Sequence, residues 1–74
     1  MIQVMADDTK TIELWPCRYQ APCRVRNCGR KATTVARSVD SGGRPIKQYE
    51  LCAAHAGQIA ERERGKGREI VTCE

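Results

Sequence analysis

Five cysteines and one histidine are the residues of this 74-residue chain whose types and spacing indicate metal chemistry. Four residues separate Cys23 from Cys28, and two separate Cys52 from His55. Both gaps fall within the ligand spacings of structural zinc sites, because a tight turn or one turn of a helix brings two donor atoms to the same side. Two such pairs complete a tetrahedral site. The spacing therefore predicts one zinc ion per chain, bound by Cys23, Cys28, Cys52 and His55.

The other two cysteines fit this pattern less well. Five residues separate Cys17 from Cys23, which exceeds the preferred range, so Cys17 is the competing ligand. Cys73 has no paired neighbour in the sequence. We expect both to be free thiols, although a bond between them stays open if the two ends of the domain lie together. A sulfur-rich tetrahedral site also suits iron, but the imidazole ligand favours zinc.

Composition explains why such a chain needs a metal. It contains no Phe, one Trp and two Tyr, so a domain of 74 residues has a thin core. Small domains of this kind depend on a metal, disulfides or a partner. The odd number of cysteines argues against a closed disulfide framework. Neither a secretory signal nor an apolar run of about 20 residues is recognisable, so we expect a cytoplasmic protein with reduced thiols and no membrane partner.

Turn residues and periodicity predict the elements that position the ligands. We expect a single zinc-binding domain at residues 11–74, after a flexible N-terminus at residues 1–10. Residues 32–39 are rich in Thr and Val and predict a strand. The turn residues at 40–43 and the return strand at 45–51 then predict a β-hairpin.

A helix is predicted at residues 52–64, where good helix formers are followed by two glycines. Its first turn would carry Cys52 and His55 on one face. Two short terminal strands are expected at residues 11–15 and 69–72, lying beside each other. The sequence thus predicts a small α+β domain with a zinc knuckle, a β-hairpin and one C-terminal helix.

The order of these parts resembles a treble-clef zinc finger. The resemblance rests on Cys23-x4-Cys28-Gly29, a hairpin, and Leu51-Cys52-x2-His55 at a helix start, and it covers roughly residues 23–64. The chain is also similar to small, uncharacterised bacterial zinc-binding proteins with the same knuckle and helix start. In treble clefs the knuckle and the first helical turn supply the zinc ligands, so the resemblance implies the same arrangement here. Many treble clefs enclose two residues in the knuckle, whereas this chain has four.

The ligand set argues against catalysis. Catalytic zinc sites keep a coordination position open for water, and four protein ligands would close this one. The only histidine is already a ligand, which leaves no histidine to act as a general base. We therefore expect no enzymatic activity.

The middle of the chain is strongly basic. Between Arg18 and Lys47 it carries eight basic residues and one acid, Asp40. Such a stretch attracts polyanions, although a solvated basic surface needs no partner. We expect contacts to the phosphates of DNA or RNA from the surface of the hairpin. The residues expected to make these contacts are Arg30, Lys31, Arg37, Arg44 and Lys47.

Two further roles stay open. The domain could be a protein-interaction adaptor, as a monomer or a weak dimer, and exposure of Trp15, Ile70 or Val71 would favour that role. It could also be a thiol-based redox or metal sensor, because oxidation of a ligand cysteine would release the metal.

Overall fold

The computed structural model describes residues 9–74, which form a four-stranded β-sheet with one helix. The strands are β1 (Thr9–Pro16), β2 (Thr34–Asp40), β3 (Pro45–Leu51) and β4 (Glu69–Thr72), and the helix is α1 (Ala53–Gly65). The strands lie in the order β3-β2-β1-β4 across the sheet. The domain is therefore a small α+β fold, in agreement with the expected class. Within residues 9–74 no helix has the length and apolarity that a membrane crossing requires.

The predicted hairpin is present as the antiparallel pair β2–β3. The Asp40 side chain accepts hydrogen bonds from the N–H groups of Gly42 and Arg44 at 2.9 and 2.8 Å, and Gly43 takes a positive φ of 84°. Strand β2 begins two residues later than predicted, because the N–H of Ala32 donates to Ala21 at 2.9 Å outside the hairpin. The bonds of Asp40 stabilise the hairpin turn, and the bond of Ala32 connects the start of the hairpin to the loop that precedes it.

The two terminal strands also pair as expected. Strand β4 runs parallel to β1, with Ile12 opposite Ile70, and β1 is antiparallel to β2 on its other side. Because β1 begins at Thr9, Thr9 and Lys10 belong to the sheet. The rest of the predicted flexible N-terminus, residues 1–8, lies outside the described residues.

The core lies between α1 and one face of the sheet. Ile12, Ala36 and Leu51 contribute from the sheet, together with Ala56 from α1. Cys23 and Cys52 belong to the same buried cluster, with 7% and 3% of their surfaces exposed. Of the ten buried apolar residues in the described part, six are Ala or Cys. The apolar core is thus small, and it is continuous with the cysteines expected to bind metal.

Arg68 connects the end of α1 to the sheet through a buried ion pair and a hydrogen bond. Arg68 Nη1 donates to Glu63 Oε1 at 2.7 Å, and both side chains are only 12% exposed. Arg68 Nε also donates to the carbonyl oxygen of Thr9 at 3.2 Å. The turn after α1 therefore holds the start of β1 and leads directly into β4.

Candidate metal centre

The fold brings the four expected ligands to one point. Cys23 and Cys28 lie at the two ends of a short loop before β2, which we call the knuckle (residues 23–28). Cys52 precedes α1 with extended backbone angles, and His55 lies in the first helical turn. The three sulfurs and one imidazole nitrogen all lie within 4.8 Å of one another. The cluster could hold one metal ion.

The distances between the donor atoms are short enough for all four to contact one ion. Cys28 Sγ is 3.7 Å from Cys52 Sγ, and Cys23 Sγ is 3.5 Å from His55 Nδ1. Cys52 Sγ lies 3.2 Å from the same nitrogen. Nδ1 is therefore the nitrogen that faces the sulfurs.

Local backbone geometry builds the knuckle. The N–H of Cys28 donates to Val25 at 3.1 Å, and that of Cys23 donates to Arg30 at 2.8 Å. Gly29 adopts a positive φ of 72°, which glycine takes without strain, and Asn27 also adopts a positive φ, of 65°. The backbone thus has one left-handed residue on each side of Cys28, Asn27 before it and Gly29 after it.

The surroundings of the sulfurs favour two thiolates. Burial raises the pKa of Cys23, but the backbone N–H groups of Cys52 and Val25 and the His55 ring outweigh it and lower the pKa to about 6. The pKa of Cys52 is also lowered, chiefly because the backbone N–H of His55 approaches its sulfur. The thiolates of Cys23 and Cys52 in turn raise the pKa of His55.

Cys28 behaves differently within the same cluster. The backbone N–H of Arg30 favours its thiolate, yet burial and the neighbouring sulfurs of Cys23 and Cys52 outweigh this effect and raise its pKa. Three sulfurs and one imidazole therefore share their protons unevenly. A cation among them would replace those protons and remove the repulsion between the sulfurs.

The left-handed backbone at Asn27 gives a testable requirement. Asn tolerates this region, whereas a β-branched residue there costs about 1–2 kcal/mol. Because folding and metal binding are coupled in small metal-binding domains, Asn27→Val should weaken zinc affinity by about 5- to 30-fold in competition with a chromophoric chelator. Asn27→Gly is the matched control and should keep the affinity of the wild type. Equal affinities for Asn27→Val and Asn27→Gly would contradict a constrained knuckle.

The candidate ligands come from the knuckle and from the start of α1, and the β2–β3 hairpin lies between these two parts of the chain. Comparison with protein-family models, curated proteins and solved structures finds no match for this chain. Its function must therefore be inferred from the geometry of its own residues.

The two remaining cysteines lie outside the cluster. The Cys17 thiol donates to the carbonyl oxygen of Tyr19 at 3.3 Å, and its backbone N–H donates to Thr33. The N–H of Cys73 donates to Leu14 and continues the pairing of β4 with β1. All five cysteines are free thiols, so the Cys17–Cys73 bond that the sequence left open is not formed.

The five basic residues expected to contact phosphates do not share one surface. Arg37 and Lys47 point to opposite faces of the sheet, since Lys47 is paired with Ser38, the neighbour of Arg37. Arg44 lies in the hairpin turn, and Arg30 and Lys31 follow the knuckle. The spacing of these residues in the sequence did not show that they lie on different parts of the surface.

Arg37 is also engaged within the domain. Its guanidinium carbon lies 5.7 Å from the centre of the Trp15 ring, and its Nη1 is 3.9 Å from Glu13 Oε1. Trp15 Nε1 donates to the same Glu13 oxygen at 3.0 Å. Trp15 is therefore half-buried under Arg37, and Ile70 and Val71 are half-buried as well. None of the three has the full exposure that would favour an adaptor.

The concentrated positive charge lies around the knuckle instead. Residues 17–31 contain five basic residues and no acid. All five are exposed, and none forms an ion pair with any residue in the described part of the chain. We call this group the knuckle cations: Arg18, Arg24, Arg26, Arg30 and Lys31.

The basic residues of α1 and the turn after it are different. Arg64 is 3.3 Å from Glu61, whereas Arg62, Lys66 and Arg68 all approach Glu63 within 3.8 Å. The largest group of cations without an ion pair in the described part of the chain therefore lies in the segment that carries Cys23 and Cys28. In the sequence, the absence of acidic residues from positions 17–31 indicates this group of cations. It is more informative than the number of basic residues between Arg18 and Lys47.

Proposed function

We propose that this chain is a structural zinc domain of the treble-clef type, with no catalytic role, that binds nucleic acid through the knuckle. The observation that carries the zinc assignment is the spacing of the four donor atoms. With Zn–S bonds of about 2.3 Å and Zn–N bonds of about 2.0–2.1 Å, a regular tetrahedron has S···S edges of roughly 3.8 Å and S···N edges of roughly 3.6 Å. The separations of 3.7 and 3.5 Å fit that figure closely, and the third, 3.2 Å, is somewhat shorter.

The donor set supports a structural role. Three thiolates and one imidazole supply all four ligands that tetrahedral zinc takes, so no position remains for water or substrate. Reduced thiolates are also required, which fits a cytoplasmic location. The succession of knuckle, hairpin and helix supports the treble-clef assignment.

Charge supports the nucleic-acid role. Three thiolates and one zinc ion leave the site with a single net negative charge, which the five knuckle cations exceed. Exposed cations that form no ion pair in the described part of the chain are available to phosphates. Binding of phosphates by such cations releases counterions from the nucleic acid. Arg24 lies over the Tyr49 ring at 5.3 Å, which orients its guanidinium without neutralising it.

The salt dependence of binding tests this role. Lys31→Ala should reduce the slope of log affinity against log salt by about 0.7 on single strands or about 0.9 on duplex DNA, and should weaken all sequences alike. Arg64→Ala is the matched control, because Arg64 is already paired with Glu61 on α1. Arg37→Ala should also leave the slope unchanged. Fluorescence anisotropy with labelled oligonucleotides measures these slopes.

Two outcomes would contradict the proposal. If the zinc-loaded protein binds no oligonucleotide at low salt, where weak electrostatic association is strongest, the nucleic-acid role is wrong and the adaptor role is favoured. If Arg64→Ala changes the slope as much as Lys31→Ala, binding does not take place at the knuckle.

A further inference from the structure

An open groove adjoins the knuckle and is lined by the two segments that flank this loop. The segments before and after it run side by side, joined by an antiparallel bridge between Pro22 and Lys31 and by the hydrogen bond from Ala32 to Ala21. The groove over these segments has a volume of about 420 Å³. Its lining contains no carboxylate and consists of Gln20, Ala21, Pro22, Gly29, Arg30 and Lys31.

An exposed aromatic residue adjoins the lining of this groove in the chain. Tyr19 immediately precedes Gln20, and half of its surface is exposed. Its hydroxyl donates to Glu50 Oε2 at 2.6 Å, and this hydrogen bond raises the pKa of Tyr19 to about 12. The hydroxyl is therefore occupied by Glu50, and this hydrogen bond orients the exposed ring at the start of the segment that lines the groove opposite Arg30 and Lys31.

From the joint placement of groove, cations and ring, we propose that the groove binds single-stranded nucleic acid, with Tyr19 as a stacking platform for one base. This inference rests on the proposed nucleic-acid role and makes it specific. Proteins that bind single strands combine a basic groove along the backbone with exposed aromatic rings for the bases. Arg30 and Lys31 contact the phosphates, and the Tyr19 ring contacts a base whose face a duplex would hide.

The structure is less suited to binding double-stranded DNA. Proteins that read double-stranded DNA commonly insert a helix into the major groove. Here the start of α1 faces the metal centre, Ala56 and Ala60 face the core, and the basic residues near its end are paired with Glu61 and Glu63. The domain therefore presents no helix surface with uncompensated positive charge.

The test compares three variants of the full zinc-loaded chain by fluorescence anisotropy, with an oligothymidylate strand and a hairpin duplex of equal phosphate number as probes. Tyr19→Ala should weaken binding of the single strand by about 5- to 150-fold, the range that stacking of one base represents. Because stacking involves no counterion, the salt slope should stay as in the wild type. Tyr19→Phe keeps the ring and should retain most of the affinity, whereas Lys31→Ala should lower the slope.

A second measurement needs no variant. The wild-type protein should bind the single strand more tightly than the duplex at equal salt, and amide shifts should concentrate at residues 19–21 and 29–31. Tighter binding of the duplex, or an unchanged affinity in Tyr19→Ala with one zinc still bound, would overturn the inference while leaving the proposed function. Failure to bind either probe would overturn both.

Discussion

Removal of the metal will unfold this protein. The two pairs of ligands join the knuckle to the start of α1, and Cys23 and Cys52 belong to the same buried cluster as Ile12 and Leu51. Structural zinc in small finger domains contributes about 10–16 kcal/mol of apparent binding free energy, whereas a whole domain is stable by about 5–15 kcal/mol. With six Ala or Cys among the ten buried apolar residues that the structure describes, the core cannot replace that contribution.

Amide NMR spectra measure the effect directly. We expect a dispersed spectrum for the zinc-loaded protein, collapse of that dispersion when a chelator is added under reducing conditions, and recovery when zinc returns. Mass spectrometry of the chelated sample is the control, since it verifies that the metal has left and that no disulfide has formed. A metal-free, reduced sample that keeps its dispersed amides would show that the fold does not depend on the metal.

Substitution of single cysteines will divide them into two groups. Cys23→Ser, Cys28→Ser and Cys52→Ser should each remove or greatly weaken zinc binding, because a hydroxyl is a poor replacement for a thiolate at a sulfur-rich site. His55→Ala should do the same. Loss of one ligand also leaves the other buried donors without their common cation, so we expect the folded state to be lost along with the metal.

The chain supplies its own matched controls. Cys17→Ser and Cys73→Ser make the same chemical change outside the cluster and should keep one zinc ion per chain. Native mass spectrometry reports the metal, its stoichiometry and the number of subunits together. Loss of zinc in Cys17→Ser, with retention in Cys23→Ser, would show that the ligand set is wrong.

The parts of the fold that the sequence predicted are those with local signals. The turn at residues 40–43 and the strand at 45–51 follow from residue types that act over a few positions. The start of β2 was predicted two residues early, because the composition of this segment does not show that the N–H group of Ala32 bonds to Ala21 outside the hairpin. A hydrogen bond to a distant residue leaves no local pattern.

The metal cluster was predictable for a related reason. Each ligand pair is local, and only the meeting of the two pairs is long-range, so the spacing of Cys23 with Cys28 and of Cys52 with His55 was sufficient. The placement of the basic residues was harder to predict. Counting charge along the chain does not reveal that Arg37 and Lys47 face opposite sides of a sheet, or that Arg37 lies against Trp15.

The parallel pairing of β1 with β4 has a consequence for the order of folding. Leu14 lies opposite Thr72, so this contact closes a loop of 58 positions, the costliest closure in the sheet. A zinc ion that joins the knuckle to the first turn of α1 would reduce the loop between Leu14 and Thr72 to less than half of its length. Each halving of a loop lowers the entropy cost of closing it by about 0.6 kcal/mol. We therefore expect the hairpin and the metal-bound loop to assemble before β4 docks, so that the last strand of the chain completes the sheet.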